Sequence, residues 1–245
     1  MKKLYLITML TCSIAGYSQN RISEENTLLW TPLVVNTKLN DKFSLLTEYQ
    51  WRRTNFGKNP QQQLLRFGLT HSAGKTISLQ AGYAWILTHP YGNYPIAENG
   101  TFAEHRTHQQ VVFNTSLNTR GTALISRIRL EQRWLAILNS DGSLNHWKYL
   151  NRIRLNQRIN FPFKAVKKNC YASVMDEIFI GFGKNLGLNV FDQNRLFVLF
   201  GININPKMQL EIGAVNQILQ QGKAVGGKAV FQYNTGPVAG INLKL

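Results

Sequence analysis

Two stretches of this chain place arginine at every second residue. Arg127, Arg129, Glu131 and Arg133 alternate with Ile128, Leu130, Gln132 and Trp134, and Arg152, Arg154 and Arg158 alternate with Ile153, Leu155 and Ile159. On a helix, residues two apart fall on nearly opposite sides, whereas on a strand they share one face. Each stretch therefore reads as a strand with one heavily charged face and one apolar face. A charged face this dense needs either water or a confined polar interior, and the rest of the sequence favours the interior of a barrel.

The same alternation recurs. Phe43, Leu45, Thr47, Tyr49 and Trp51 oppose Ser44, Glu48, Gln50 and Arg52, and Ile77, Leu79, Ala81, Tyr83, Trp85 and Leu87 oppose Thr76, Ser78, Gln80 and Gly82. About twelve strand segments are expected, near 27–39, 42–53, 62–72, 76–87, 104–117, 122–138, 147–160, 170–182, 193–204, 208–218, 227–234 and 237–245. Short connections (Asn40-Asp41, Ala73-Gly74-Lys75, Asn205-Pro206-Lys207) alternate with longer ones (54–61, 89–103, 183–192, 220–226), and Gly236-Pro237 reads as a bend. Outer-membrane barrels have that asymmetry, and an even strand number puts both termini in the periplasm. Trp30, Trp51, Trp85, Trp134, Trp147, Phe161 and Phe163 near strand ends suit interfacial girdles.

The amino terminus is expected to be a signal peptide over 1–18: Lys2-Lys3, an apolar run from Leu4 to Ala15, and small residues Gly16 and Ser18 before the cut. Its removal takes the formal charge from +16 to +14, because Lys2 and Lys3 leave with it. Cys170 alone then remains, too few for an internal disulfide. Residues 19–245 form one domain. A basic chain raises nucleic acid first, but these arginines are spread through strands, and no zinc-finger spacing or RNA-recognition signature accompanies them.

The kind of charge matters as well. On the polar faces the bases are arginines: Arg52, Arg66, Arg106, Arg127, Arg129, Arg133, Arg152, Arg154, Arg158 and Arg195. The acids are Glu48, Glu104, Glu131, Glu177 and Glu211, while lysines such as Lys58, Lys75, Lys164, Lys167 and Lys184 fall mostly in connections. Forked guanidinium groups that bridge carboxylates suit a confined lumen. These fifteen residues are the expected lumen network, and their ten arginines against five glutamates leave a surplus of positive charge.

Several segments resemble a known family: Glu25-Asn26 followed by Trp30, Gln63-Leu64-Leu65-Arg66-Phe67-Gly68-Leu69, Ala81-Gly82-Tyr83, the two arginine ladders, and Phe191-Asp192-Gln193-Asn194-Arg195. The family is the outer-membrane barrel family of diderm bacteria catalogued as domain of unknown function 2490. The resemblance covers essentially the whole mature chain. It implies an outer-membrane barrel and supplies no catalytic residues.

The expected protein is thus an all-β, up-and-down antiparallel transmembrane barrel, monomeric, with membrane lipid as its partner and no cofactor, metal or nucleic acid. Its lumen is either a cross-linked structural plug or a narrow path for small anionic solutes. The alternatives are a lipid hydrolase and a soluble secreted β-barrel or sandwich that binds a small ligand. The first would draw on His71, His105 or His108 with Ser72, Ser116 or Ser126. The His105/His108 spacing of three sends the two imidazoles to opposite faces, against a shared metal. Gly181-x-Gly183 and Gly226-Gly227 read as strand-end and turn glycines rather than a nucleotide motif. The aromatic segment His89 to Pro95 is either a recognition loop or a lid over the barrel mouth.

Overall fold

The computed structural model describes residues 21–165 and 168–245. The expected signal peptide and Lys167 lie outside them. Among the described residues the chain forms eleven strands: β1 (Arg21–Lys38), β2 (Phe43–Thr54), β3 (Asn59–Ser72), β4 (Ile77–Thr88), β5 (Phe102–Ser116), β6 (Ala123–Leu138), β7 (Leu144–Ala165), β8 (Lys168–Phe182), β9 (Phe191–Asn205), β10 (Met208–Val225) and β11 (Lys228–Lys244). Each strand pairs antiparallel with the next, and the sheet closes on itself through β1 and β11. No helix among them is long and apolar enough to cross a membrane.

The count is eleven, close to the expected twelve, because the segments 227–234 and 237–245 are one strand. Gly236-Pro237 has turn chemistry, yet it sits inside β11 opposite Val215 and Ala214 of β10. An odd number of up-and-down strands forces a parallel pair at closure. β1 and β11 provide it, in constant register from Arg21↔Ala229 to Asn36↔Lys244. The even-number argument for two termini on one side therefore falls. β1 enters at the mouth where β2 joins β3 and β4 joins β5, and β11 leaves at the opposite mouth.

The asymmetry of the connections also changes. Strand β10 runs on to Val225 through a bulge between Gln220 and Ala224, so its link to β11 is tight. The contrast in length is left to 89–101 and 183–190, both at the mouth where β1 begins.

Side-chain polarity is inverted relative to a water-soluble domain. Outward positions carry exposed Trp51, Phe67, Trp85, Ile128, Leu155 and Phe200, while charged residues are buried within. The interior is not uniformly polar, however. Leu28, Trp30, Phe197, Leu199, Val215 and Val238 form an apolar wedge against the inner wall of β1 and β9 to β11. Trp30, expected in a girdle, is instead inside, and its indole N–H donates to Gln61 Oε1 at 2.8 Å. Its phase along β1, shared with Glu24 and Leu28, puts it there.

Candidate functional site

Alternation alone aims the arginine ladders at the barrel axis. Register then decides which charges meet: Glu131 of β6 stands opposite Arg152 of β7, and Glu177 of β8 opposite Arg195 of β9. Glu131, fully buried, is the hub. Arg152 reaches its Oε2 at 2.6 Å and Arg154 its Oε1 at 2.8 Å, with Arg106 at 3.6 Å and Arg129 at 3.8 Å. From there the network branches. Arg154 also donates to Glu177 at 2.8 Å, and Arg127 meets the same carboxylate at 2.6 Å. Arg152 also holds Asp192 at 2.5 Å. Arg106 and Arg133 share Glu104 at 2.6 and 2.8 Å.

Two smaller groups complete the network. Arg66 pairs with Glu48 at 2.5 Å. Near the mouth with the tight turns, Glu211 accepts hydrogen bonds from Arg158 and from the Tyr171 hydroxyl, the latter at 2.5 Å. Guanidinium groups that bridge two carboxylates convert isolated buried charges into a connected lattice, which is the arrangement in which buried ions are tolerable.

Two arginines of the lumen network have no carboxylate within 4 Å among the described residues. Arg52 lies 4.2 Å from the Trp30 ring centroid and donates to Gln62 at 2.8 Å. Arg195 lies between Trp30 at 5.0 Å and Phe179 at 4.7 Å, with Gln193 accepting from its Nε at 2.9 Å. The negative faces of these rings partly offset the missing carboxylates.

All fifteen residues of the expected network face the interior, but that set was incomplete. Asp192 belongs to it, although the sequence put this residue at the end of a loop. Glu24 belongs to the inner wall too, bonded to Gln232 at 2.9 Å and to the backbone N–H of Asn93. Ten arginines thus face seven carboxylates, a surplus of three rather than five. Phe179, fully buried, was missed as a cation–π platform, though it shares its phase with Glu177. The neutral partners Gln193, Gln217, Gln232 and Asn234 also escaped notice, because uncharged amides in alternation carry no distinctive signal.

The histidines separate by face. His105 points outward, hydrogen-bonded to Tyr83 at 2.5 Å, and His108 points inward to Gln80 at 3.2 Å. His71 lies on the outer face, its ring tilted against that of Phe43 at 4.9 Å. Among the described residues no serine hydroxyl is hydrogen-bonded to a histidine.

The segment 89–101 folds over the mouth where β1 begins. Tyr91 is 8 % exposed, and its hydroxyl donates to Gln232 at 3.0 Å. Burial pushes the Tyr91 hydroxyl above its ordinary pKa, which keeps it a donor. The Tyr94 carbonyl accepts from Gln221 and Gln232. Gly92 has a φ of +74°, and a Cβ there would come 2.5 Å from Glu24 Oε1, so this tie requires glycine. The segment is a packed lid. Beneath it a cavity of about 450 Å³ runs along the arginines, from Tyr91 and Asn189 to Leu46, Val34 and Asn242. A more open recess of about 380 Å³ at the far mouth shares Arg158, Glu211 and Asn242 with it.

Together these features define a closed β-barrel whose interior is a buried arginine–carboxylate network, lidded at one mouth. The chain belongs to the family described as "Protein of unknown function (DUF2490)", whose model matches residues 27–226. Among solved structures it is similar to the siderophore receptor PirA from Pseudomonas aeruginosa, with 13% identity and a TM-score of 0.27. That match covers 77% of this chain and 36% of the receptor, so the chain spans about a third of the receptor's length. No curated protein matches the chain.

Proposed function

We propose that this protein is an outer-membrane barrel whose cross-linked lumen is a narrow compartment for small anions, closed at one mouth by the 89–101 lid. The observation that carries the reading is the inverted polarity: charge inside with mutual partners, and aromatic and aliphatic side chains outside. A bilayer requires closure of every backbone hydrogen bond, which a barrel achieves.

Several polar side chains on the outer wall bond to each other, which supports a lipid environment. Ser126 donates to Gln157 at 2.6 Å, Asn194 to Asp176 at 2.8 Å, and Asn216 to Thr235 at 2.9 Å. Asp176, in mid-β8, is the one carboxylate among these pairs. Replacing Asp176 and Asn194 together by valine is expected to stabilise the barrel in lipid vesicles by about 1–2 kcal/mol, read from its urea midpoint. In a water-facing sheet the same change gives no gain, so an unchanged or lower midpoint would argue for a soluble barrel.

The test of passage is conductance of the refolded chain in a planar bilayer under a salt gradient. Wild type is expected to give rare, small steps. A variant with residues 90–98 replaced by a glycine–serine segment should give steps several-fold larger, with anion preference from the surplus arginines. Cation preference would overturn the reading. A lidless barrel that inserts and stays silent would make the cross-links themselves the barrier and the lumen structural.

A further inference from the structure

The lumen contains a place where positive charge and unused donors collect together. Arg66 of β3 and Arg127 and Arg129 of β6 line the same cavity. They are mutual electrostatic neighbours, with Arg129 in reach of Arg66 and Arg127, and Arg127 of Arg66. Each keeps a buried donor with no acceptor: Arg66 Nε, Arg127 Nε and Arg129 Nη1. Arg129 is 3 % exposed, and its nearest carboxylate oxygen, on Glu131, is 3.8 Å away and already serves Arg154 at 2.8 Å. Its one side-chain acceptor is Gln110 Oε1, at 2.7 Å.

Local carboxylates are shared too widely to neutralise this cluster. Glu48 pairs with Arg66, and Glu177 pairs with Arg127 while also holding Arg154; both lie in electrostatic reach of Arg129 but neither is within 4 Å of it. A buried cation without a counter-charge costs several kcal/mol even after relaxation, and buried donors left unpaired add to that. Arg52 and Arg195 face the same deficit but lie against the rings of Trp30 and Phe179. None of the cation–π contacts among the described residues involves Arg66, Arg127 or Arg129. Water could fill the donors but not the missing charge.

We infer that Arg66, Arg127 and Arg129 form a binding site for a small multivalent oxyanion, of phosphate or dicarboxylate type, reached from the mouth opposite the lid. The cavity has room for such a guest, and the recess shared through Arg158, Glu211 and Asn242 gives the entry side. The site deepens the proposed anion compartment but needs neither a membrane nor conduction, so the two can fail separately.

The test is a titration of the refolded, full barrel in detergent with inorganic phosphate, and separately with succinate, at constant ionic strength set by chloride. A ligand that binds only the folded state raises the unfolding midpoint in a saturable way. The wild type is expected to show that rise with at least one of the two anions, and the anion that gives it identifies the source. Arg129→Gln removes a cation whose nearest carboxylate oxygen is 3.8 Å away, so it should fold and bind about tenfold more weakly or worse. Arg53→Gln, whose guanidinium bonds to the backbone of Gly57 and Lys58 instead, should titrate as wild type. Should Arg129→Gln not refold, Arg127→Gln replaces it, and calorimetric titration of the wild type reads binding directly. No saturable response to either anion, or an equal response in wild type and variant, overturns the site.

Discussion

Glu131→Gln is expected to destabilise the barrel by about 3–5 kcal/mol, the usual consequence of removing one partner from a buried ion pair. The side chain keeps its size and can still accept hydrogen bonds, so the loss isolates the charge. Arg152 retains Asp192, Arg154 retains Glu177 and Arg106 retains Glu104, but each then shares its remaining carboxylate within a lumen one charge more positive. The measurement is the urea dependence of the folded fraction, followed by the gel-mobility difference between folded and boiled barrel. Adding Arg129→Gln to Glu131→Gln should recover part of the loss, because Arg129 has no other carboxylate within 4 Å among the described residues. A Glu131→Gln barrel as stable as wild type would mean that the apolar wedge and the backbone ladder, not the ionic lattice, hold the interior.

How much of this is legible in the sequence depends on how local the signal is. Period-two alternation needs only neighbouring residues, and it placed Arg127, Arg129, Arg152 and Arg154 on the inner face. The sequence also separated His105 from His108 by the same argument. What it could not supply was register, which decides that Arg152 bridges Glu131 and Asp192. A bulge where Phe179 and Ile180 of β8 meet β9 sets how Asp192 enters the network, and nothing local to Asp192 announces it. Trp30 was misplaced for a different reason: its chemistry suggested an interface while its phase pointed inward, and phase won. The lid is a tertiary fact, since Tyr91 acquires its partners from Gln232 and Asn234, far along the chain.

Gly236-Pro237 reads as a bend yet lies within β11, because local turn chemistry and a distant close approach call for the same residues. The close approach sets the second large effect: Gly236→Val is expected to prevent the barrel from closing. A Cβ at position 236 would sit 2.0 Å from the Leu28 carbonyl oxygen, and 2.6 and 2.7 Å from that residue's carbonyl carbon and nitrogen. All three are backbone atoms of β1, which cannot swing aside as a side chain can. The ladder pairs Thr27 with Thr235 and Trp30 with Val238, so the contact falls between two anchored points. Pro237 beside it has no N–H to give the seam. Parallel pairing is already the slightly weaker kind, and here it is the closure itself. Pushing the strands apart also opens the wedge of Leu28, Trp30, Val215 and Val238 beneath them. The folded band should therefore be nearly lost on refolding Gly236→Val into detergent or lipid. Ala239→Val, which puts the same side chain at an exposed position of the same strand, should refold as wild type. If Gly236→Val refolds normally, β1 and β11 do not meet at this register, and the parallel closure that makes eleven strands a barrel is wrong.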